Sequence, residues 1–254
     1  MKTFLVRQMP APWYVQCIKT EATMYEFSDN CTKPMPLIGD NAPAFTARTT
    51  NGTVNFPDDY AGKWVILFSH PSDFTPICTT EFMTFQSMID DFHKLNTEII
   101  GLSVGTLTGH LAWIEAIRNL KFGDLHDIHI TFPIIDDMTM SVARKYGMIH
   151  PHASDTATVR AVFIIDPNGV IRLILYYPAS VGRNMDEIRR ALIALQTSDK
   201  YHVSTPANWK PNDDVVAPAP ATTAQMDARL NNRNRGLDVQ AWFLTFRKLP
   251  KQKN

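Results

Sequence analysis

Cysteine is scarce in this sequence: three residues in 254, at positions 17, 31 and 78. An odd number without C-x-x-C spacing argues against a disulfide framework and against a cysteine zinc site. Net charge is lacking as well, since Lys plus Arg and Asp plus Glu each total 25. The chain therefore carries no electrostatic footprint for nucleic acid or an anionic membrane, and neither partner is expected. Long apolar runs are missing too. The opening MKTFLVRQMP sets only Phe4, Leu5 and Val6 together before Arg7 intervenes, short of the ~7 to 15 apolar residues of a signal peptide, so a cytoplasmic location is expected. His150-Pro151-His152 looks like a metal pair, but the proline prevents presentation on a helix and no cysteine or carboxylate sits at ligand spacing. Neither metal nor cofactor is expected. What these absences leave is thiol chemistry, or cysteines that do nothing.

At 44% hydrophobic residues the chain can bury a core large enough for one full domain and a smaller appendage. Residues 1 to 36, with Pro10, Pro12, Pro34 and Pro36 and no sustained period, read as an N-terminal extension. In FTARTTNGTVNF, Asn51-Gly52 signals a hairpin between two β-prone runs. WVILFS (64 to 69) has the continuous apolar character of a strand buried on both faces. TEIIGLSVG (97 to 105), FPIID (132 to 136) and RAVFII (160 to 165) read as further strands, the last turning through Asp166-Pro167-Asn168-Gly169 into VIRLILYY. Between them, Phe82, Phe85, Met88, Ile89 and Phe92 recur at helical spacing, and Leu111, Ile114 and Ile117 mark a helix after Thr108. Asp137 is a candidate cap for a short helix ending at Gly147, and Asn184 with Glu187 forms a capping box for a helix with Ile188, Ala191, Leu192 and Leu195 on its buried stripe. Beyond residue 197, Pro206, Pro211, Pro218 and Pro220 break any long helix, and VQAWFLTF (239 to 246) reads as one more strand. Such a tail must pack on the main domain or on a second subunit.

The chemistry concentrates in HPSDFTPICTTE (70 to 81). Thr75 stands where an N-cap belongs and Pro76 at the first helical position, so Cys78 falls in the first turn of a helix. There the unpaired backbone N–H groups and the positive end of the helix dipole favour thiolate over thiol. A strand delivering a loop whose cysteine starts a helix, within an alternating sheet, is a thioredoxin-like arrangement, but residues 78 to 81 read CTTE and lack the second cysteine of a disulfide oxidoreductase. A thiol attacking a small electrophile needs only the one sulfur. FSHPSDFTPICTTEF, RAVFIIDPNG, YYPASVGRNMDEI and TPANWKPND together resemble the one-cysteine type of peroxiredoxin, in the AhpC/TSA-like branch of the thioredoxin-like superfamily, over residues 37 to about 215.

The resemblance implies an α/β fold, thioredoxin-like, with a mixed central sheet flanked by helices and a small C-terminal domain. The divisions are an extension (1–36), a peroxidase domain (37–197) and a C-terminal dimerisation domain (198–254). It implies a thiol-dependent peroxidase acting on hydrogen peroxide and alkyl hydroperoxides, re-reduced by an external thiol and assembled as a homodimer or a ring of dimers. Cys78 is then the peroxidatic cysteine, cycling through sulfenic acid, and the Thr75 hydroxyl polarises the peroxide. Arg160 and Arg183 stabilise the thiolate and the developing oxyanion, Glu81 orients an arginine, Pro71 shapes the loop and shields Cys78, and His70 sits beside the strand end. Cys17 and Cys31 fall outside the matching part and are expected to be bystanders.

Two rivals belong to other classes. Gly101-Leu102-Ser103-Val104-Gly105 fits the G-x-S-x-G elbow of serine hydrolases, but Val104 reads as continuing strand and the next helix is expected only after Thr108. A Ser/His/Asp lipase set credited to some one-cysteine relatives aligns here with Lys63, Pro57 and Asn168, which cannot perform that chemistry. The non-enzymatic alternative is a redox sensor or holdase assembly switched by oxidation of Cys78. Turnover separates it from a peroxidase.

Overall fold

The computed structural model describes residues 35–231 and 236–250. Cys17 and Cys31 lie outside them. A seven-stranded mixed sheet forms the centre, built from β1 (Phe45–Thr49), β2 (Gly52–Phe56), β3 (Trp64–Ser69), β4 (Thr97–Ser103), β5 (Ile134–Asp136), β6 (Arg160–Ile165) and β7 (Ile171–Tyr177) in the order β2-β1-β5-β4-β3-β6-β7. The β3, β4 and β5 strands run parallel, and β6 pairs antiparallel with both β3 and β7. The apolar run of β3 is buried throughout. Because side chains alternate along a strand, Ile66 and Phe68 enter one core and Val65 and Leu67 the other.

The first core joins the sheet to α1 (Pro76–Ser87), α2 (Ile89–Lys94), α3 (Leu107–Ile117) and α5 (Met185–Tyr201). The second holds Phe45, Phe56 and Tyr146 beside α4 (Ser141–Lys145). The helical spacing from Phe82 to Phe92 spans two helices, since Met88 (φ −103°, ψ 5°) interrupts them. The period survives because Phe82, Phe85 and Phe92 all pack in the same core. Asn184 caps α5 by accepting from the Glu187 N–H at 3.1 Å. The reciprocal half of the capping box is not made, because the Glu187 carboxylate turns to Arg190. Asp137 accepts from the Val142 and Ala143 N–H groups at the start of α4, and Gly147, at φ +63°, ends that segment. The hairpin turns one residue earlier than the Asn-Gly signal places it: Thr49 pairs with Gly52, which takes φ +109°.

The C-terminal segment packs on α5. Val203, Trp209 and Val215 bury against Ile193 and Ala194. It contributes β8 (Val215–Val216), α6 (Thr223–Asn231), β9 (Leu237–Val239) and β10 (Thr245–Arg247), with the strands in the order β8-β10-β9. The run 239–246 is therefore not one strand. Its middle is a turn, closed by Leu244 N–H donating to Ala241 O at 3.1 Å, and it leaves Trp242, Phe243 and Leu244 exposed at the tip.

Candidate active site

The β3 strand ends at Ser69, and a short loop carries the chain into α1, whose first turn holds Cys78. The sulfur is fully buried. Thr75 occupies the N-cap position, but its hydroxyl does not cap the helix; it donates to Ser72 O at 2.9 Å. The first-turn N–H groups thus receive no side-chain cap, and the helix end keeps its partial positive charge beside the sulfur. Having spent its proton on Ser72, the Thr75 oxygen offers lone pairs rather than a proton to anything arriving near it.

Arg160 opens β6 and is buried. Its Nη1 donates to Cys78 Sγ at 3.2 Å and to Glu81 Oε2 at 2.8 Å, while Nε and Nη2 fork onto Ala179 O at 3.1 and 2.8 Å. A guanidinium held at three acceptors is a fixed positive charge against the sulfur, which stabilises negative charge there. Glu81 is the hub. Besides Arg160 it accepts from the Arg183 backbone N–H at 2.8 Å, from Nε at 2.9 Å and from Nη2 at 2.5 Å. Burial alone would push the Glu81 carboxyl up, but Arg183 and then Arg160 hold it below its ordinary value. Arg183 completes its set with Nη1 donating to Ser69 O and Ala161 O at 2.9 and 3.1 Å, and it lies over the Phe68 ring at 4.8 Å.

The structure thus brings Cys78, Thr75, Glu81, Arg160 and Arg183 together but divides their roles differently. Arg183 makes no hydrogen bond to the sulfur; its donors serve Glu81 and the ends of β3 and β6, so it supports Arg160 through Glu81. His70 also turns away, donating from Nε2 to Asp73 at 2.8 Å. Burial lowers its tendency to protonate, against the pull of Asp73. Pro71 lies half-buried in the loop. Sequence reasoning missed Asp73, the Ala179 carbonyl, His110 and Trp113. Asp73 also accepts from His110 Nδ1 at 2.7 Å. Although burial would raise its carboxyl, the hydrogen bonds from His110 and His70 bring it to about 2. The apolar spacing gave no hint of His110 and Trp113: of the residues that mark α3, Leu111 is exposed, and the buried face runs through His110, Trp113 and Ile117 instead.

The elbow serine fails for a different reason than the sequence suggested. The β4 strand stops at Ser103, Val104 bends away, and α3 follows at Leu107, capped by Thr106, so the strand–turn–helix order is present. Yet Ser103 is buried and its hydroxyl has no hydrogen-bond partner among the described residues, whereas a serine nucleophile needs a base within reach. Pro57, Lys63 and Asn168 do line a common cavity of about 210 Å³, but it holds no serine or histidine. Among the described residues no group of side chains could hold a metal ion, and no helix is long and apolar enough to cross a membrane.

Residues 38–174 match the model of the AhpC/TSA family, and residues 194–231 match the C-terminal domain of 1-Cys peroxiredoxin. A peroxiredoxin of Methanosarcina mazei is 53% identical over 84% of this chain and 98% of its own, and one of Thermotoga maritima is 49% identical over 85% and 98%. Among solved structures, a yeast mitochondrial 1-Cys peroxiredoxin, described with its thiol resolving mechanism via glutathione/thioredoxin systems, superimposes with a TM-score of 0.73 at 39% identity. It covers 85% of this chain and all of its own. A mutant of peroxiredoxin 6 of Arenicola marina gives a TM-score of 0.72 at 32% identity, with the same coverage.

Proposed function

The chain belongs to the peroxiredoxin family, and from that premise we propose that Cys78 is the residue at which this thiol-dependent peroxidase consumes its substrate. The contact between Arg160 Nη1 and Cys78 Sγ at 3.2 Å carries the reading. The sulfur attacks the nearer peroxide oxygen: an S–O bond forms, the O–O bond breaks, and the leaving oxygen departs as water or alcohol with the proton the peroxide brought. Sulfur is oxidised by two electrons and peroxide reduced by two. Thr75 Oγ, its own proton engaged with Ser72, accepts from the peroxide O–H, and Arg160 holds the charge that moves along the S–O–O line. An external thiol then displaces water from the sulfenic acid, forming a mixed disulfide, and a second thiol releases Cys78 as thiol.

Hydrogen peroxide and alkyl hydroperoxides both meet these needs, since the site engages the peroxide group and not its substituent. Thioredoxin and glutathione are the reductants to test, because the yeast relative's structure is described with those systems. Supply of such thiols favours the cytoplasm. The assembly we propose is a homodimer, able to associate further into a ring. Two features support it: β7 stands at the edge of the central sheet, an arrangement that invites strand pairing, and Trp242, Phe243 and Leu244 form an exposed apolar tip. Sedimentation at micromolar concentration should give a dimer that weakens on deleting residues 198–254, and a monomeric full-length protein would overturn it.

A steady-state assay with peroxide, each thiol system and the purified protein tests the function. Catalytic turnover with at least one donor is expected. A single stoichiometric oxidation with every donor would favour a sensor.

A further inference from the structure

Both flanks of the Cys78 turn are tied to one helix that supplies nothing to the sulfur itself. His110 and Trp113 lie one turn apart on α3, and both are buried. Upstream of the cysteine, His110 Nδ1 bonds Asp73 Oδ2 at 2.7 Å, its Nε2 faces Ile135 O at 3.2 Å, and the other Asp73 oxygen takes the His70 Nε2–H. Downstream, the Trp113 indole N–H donates to Thr79 Oγ1 at 3.2 Å. That hydroxyl donates in turn to Thr75 O at 2.8 Å, and the Thr79 N–H reaches the same carbonyl at 3.0 Å, closing the turn that contains Cys78. The His70 ring stands 5.1 Å from Trp113, and Phe82 lies 4.7 Å from His70 and 4.6 Å from Trp113, so the two ties share one packed unit. Gly105 is required for it: a Cβ there would lie 2.9 Å from His110 Cε1.

A fully buried sulfenic acid cannot meet a bulky thiol, so the turn must open during each cycle. We propose that α3, through His110 and Trp113, is a two-point clamp on the Cys78 turn that sets how readily this turn opens to the external reductant. These are positioning residues, acting through Asp73 and Thr79. The inference rests on Cys78 being the peroxidatic residue. Releasing one buried hydrogen bond shifts an opening equilibrium by about tenfold. A small open population then grows by that factor, while the closed, peroxide-reactive population changes far less. The thiol step therefore gains on the peroxide step.

The test uses Thr79→Val, Trp113→Phe, their double variant, and Thr79→Ser as the conservative rescue. For the second tie it uses His110→Phe against His110→Asn, whose amide can replace the Nδ1 donor. Iodoacetamide labelling of the Cys78 peptide in the reduced protein, read by mass spectrometry, should rise about tenfold in Thr79→Val, Trp113→Phe and His110→Phe. It should be no greater in the double variant than in its more affected parent, and near wild type in Thr79→Ser and His110→Asn. The ratio of thiol-step to peroxide-step rates should rise by the same factor, with faster amide exchange confined to residues 71–82. Unchanged labelling in Thr79→Val and His110→Phe overturns the clamp even if Cys78 proves peroxidatic. So does accelerated exchange spread equally over β3 and β6, which marks a merely structural role. Labelling that rises while the thiol step does not follow overturns the control proposed here and leaves the role of Cys78, which the peroxide step reads, as it stands.

Discussion

Replacing Cys78 by serine is expected to abolish peroxide consumption and leave the protein folded. Serine has nearly the same shape and can keep the Arg160 Nη1 donor satisfied at the position where the sulfur now sits, 3.2 Å away. Its hydroxyl is not ionised near neutral pH and lacks the nucleophilicity of sulfur, so the attack on the O–O bond has no agent. Among the described residues Cys78 is the one cysteine. Stopped-flow peroxide consumption should fall to the uncatalysed background, with circular dichroism and thermal unfolding close to wild type. Residual turnover well above background in a folded Cys78→Ser protein would show that another group reduces peroxide.

Arg160→Lys should produce the second-largest effect. Lysine keeps the charge, but as a point: it cannot at once serve the sulfur, Glu81 Oε2 and the Ala179 carbonyl that the guanidinium fork now holds. The charge then drifts toward the buried Glu81 carboxylate, its strongest partner, and away from the sulfur. Loss of one preorganised donor at developing charge costs on the order of 10²-fold in rate. Glu81 keeps its contacts with Arg183, so the fold should lose only about 1–3 kcal/mol, the cost of leaving the Ala179 carbonyl underserved. The second-order rate constant with peroxide and a denaturant titration measure the two quantities. A rate within about fivefold of wild type would remove Arg160 from the reacting centre.

What the sequence revealed and what it hid follow from range. The β3 and β6 strands were visible as unbroken apolar runs because both faces are covered, and the Asn184 cap was visible because its partner is Glu187, one helical turn away. Cys78 at a helix start was likewise a local pattern. Other features depend on contacts between distant segments. That Glu81 orients an arginine came from the resemblance and not from its spacing, and it is the approach of Arg160 and Arg183 from β6 and the loop after β7 that makes it the buried hub. Thr75 has the right identity for a cap, yet the loop conformation offers Ser72 O as the better partner. His110 and Trp113 carry no local motif, and their meaning appears when α3 is laid beside the Cys78 turn. The strand expected over 239–246 failed because apolar character alone does not distinguish a strand from a hairpin tip.

In the proposed cycle one sulfur takes the peroxide oxygen and holds it for an external thiol. The direct measurement is to add one equivalent of peroxide to the reduced protein in the presence of a sulfenic acid trap, digest it without reductant, and locate the product by mass spectrometry. The trap adduct is expected on the Cys78 peptide in nearly stoichiometric yield, with Cys17 and Cys31 recovered as free thiols. An adduct on another peptide, or a high yield of Cys78 joined to Cys17 or Cys31 with turnover lost in the Cys17→Ser, Cys31→Ser double variant, would contradict it.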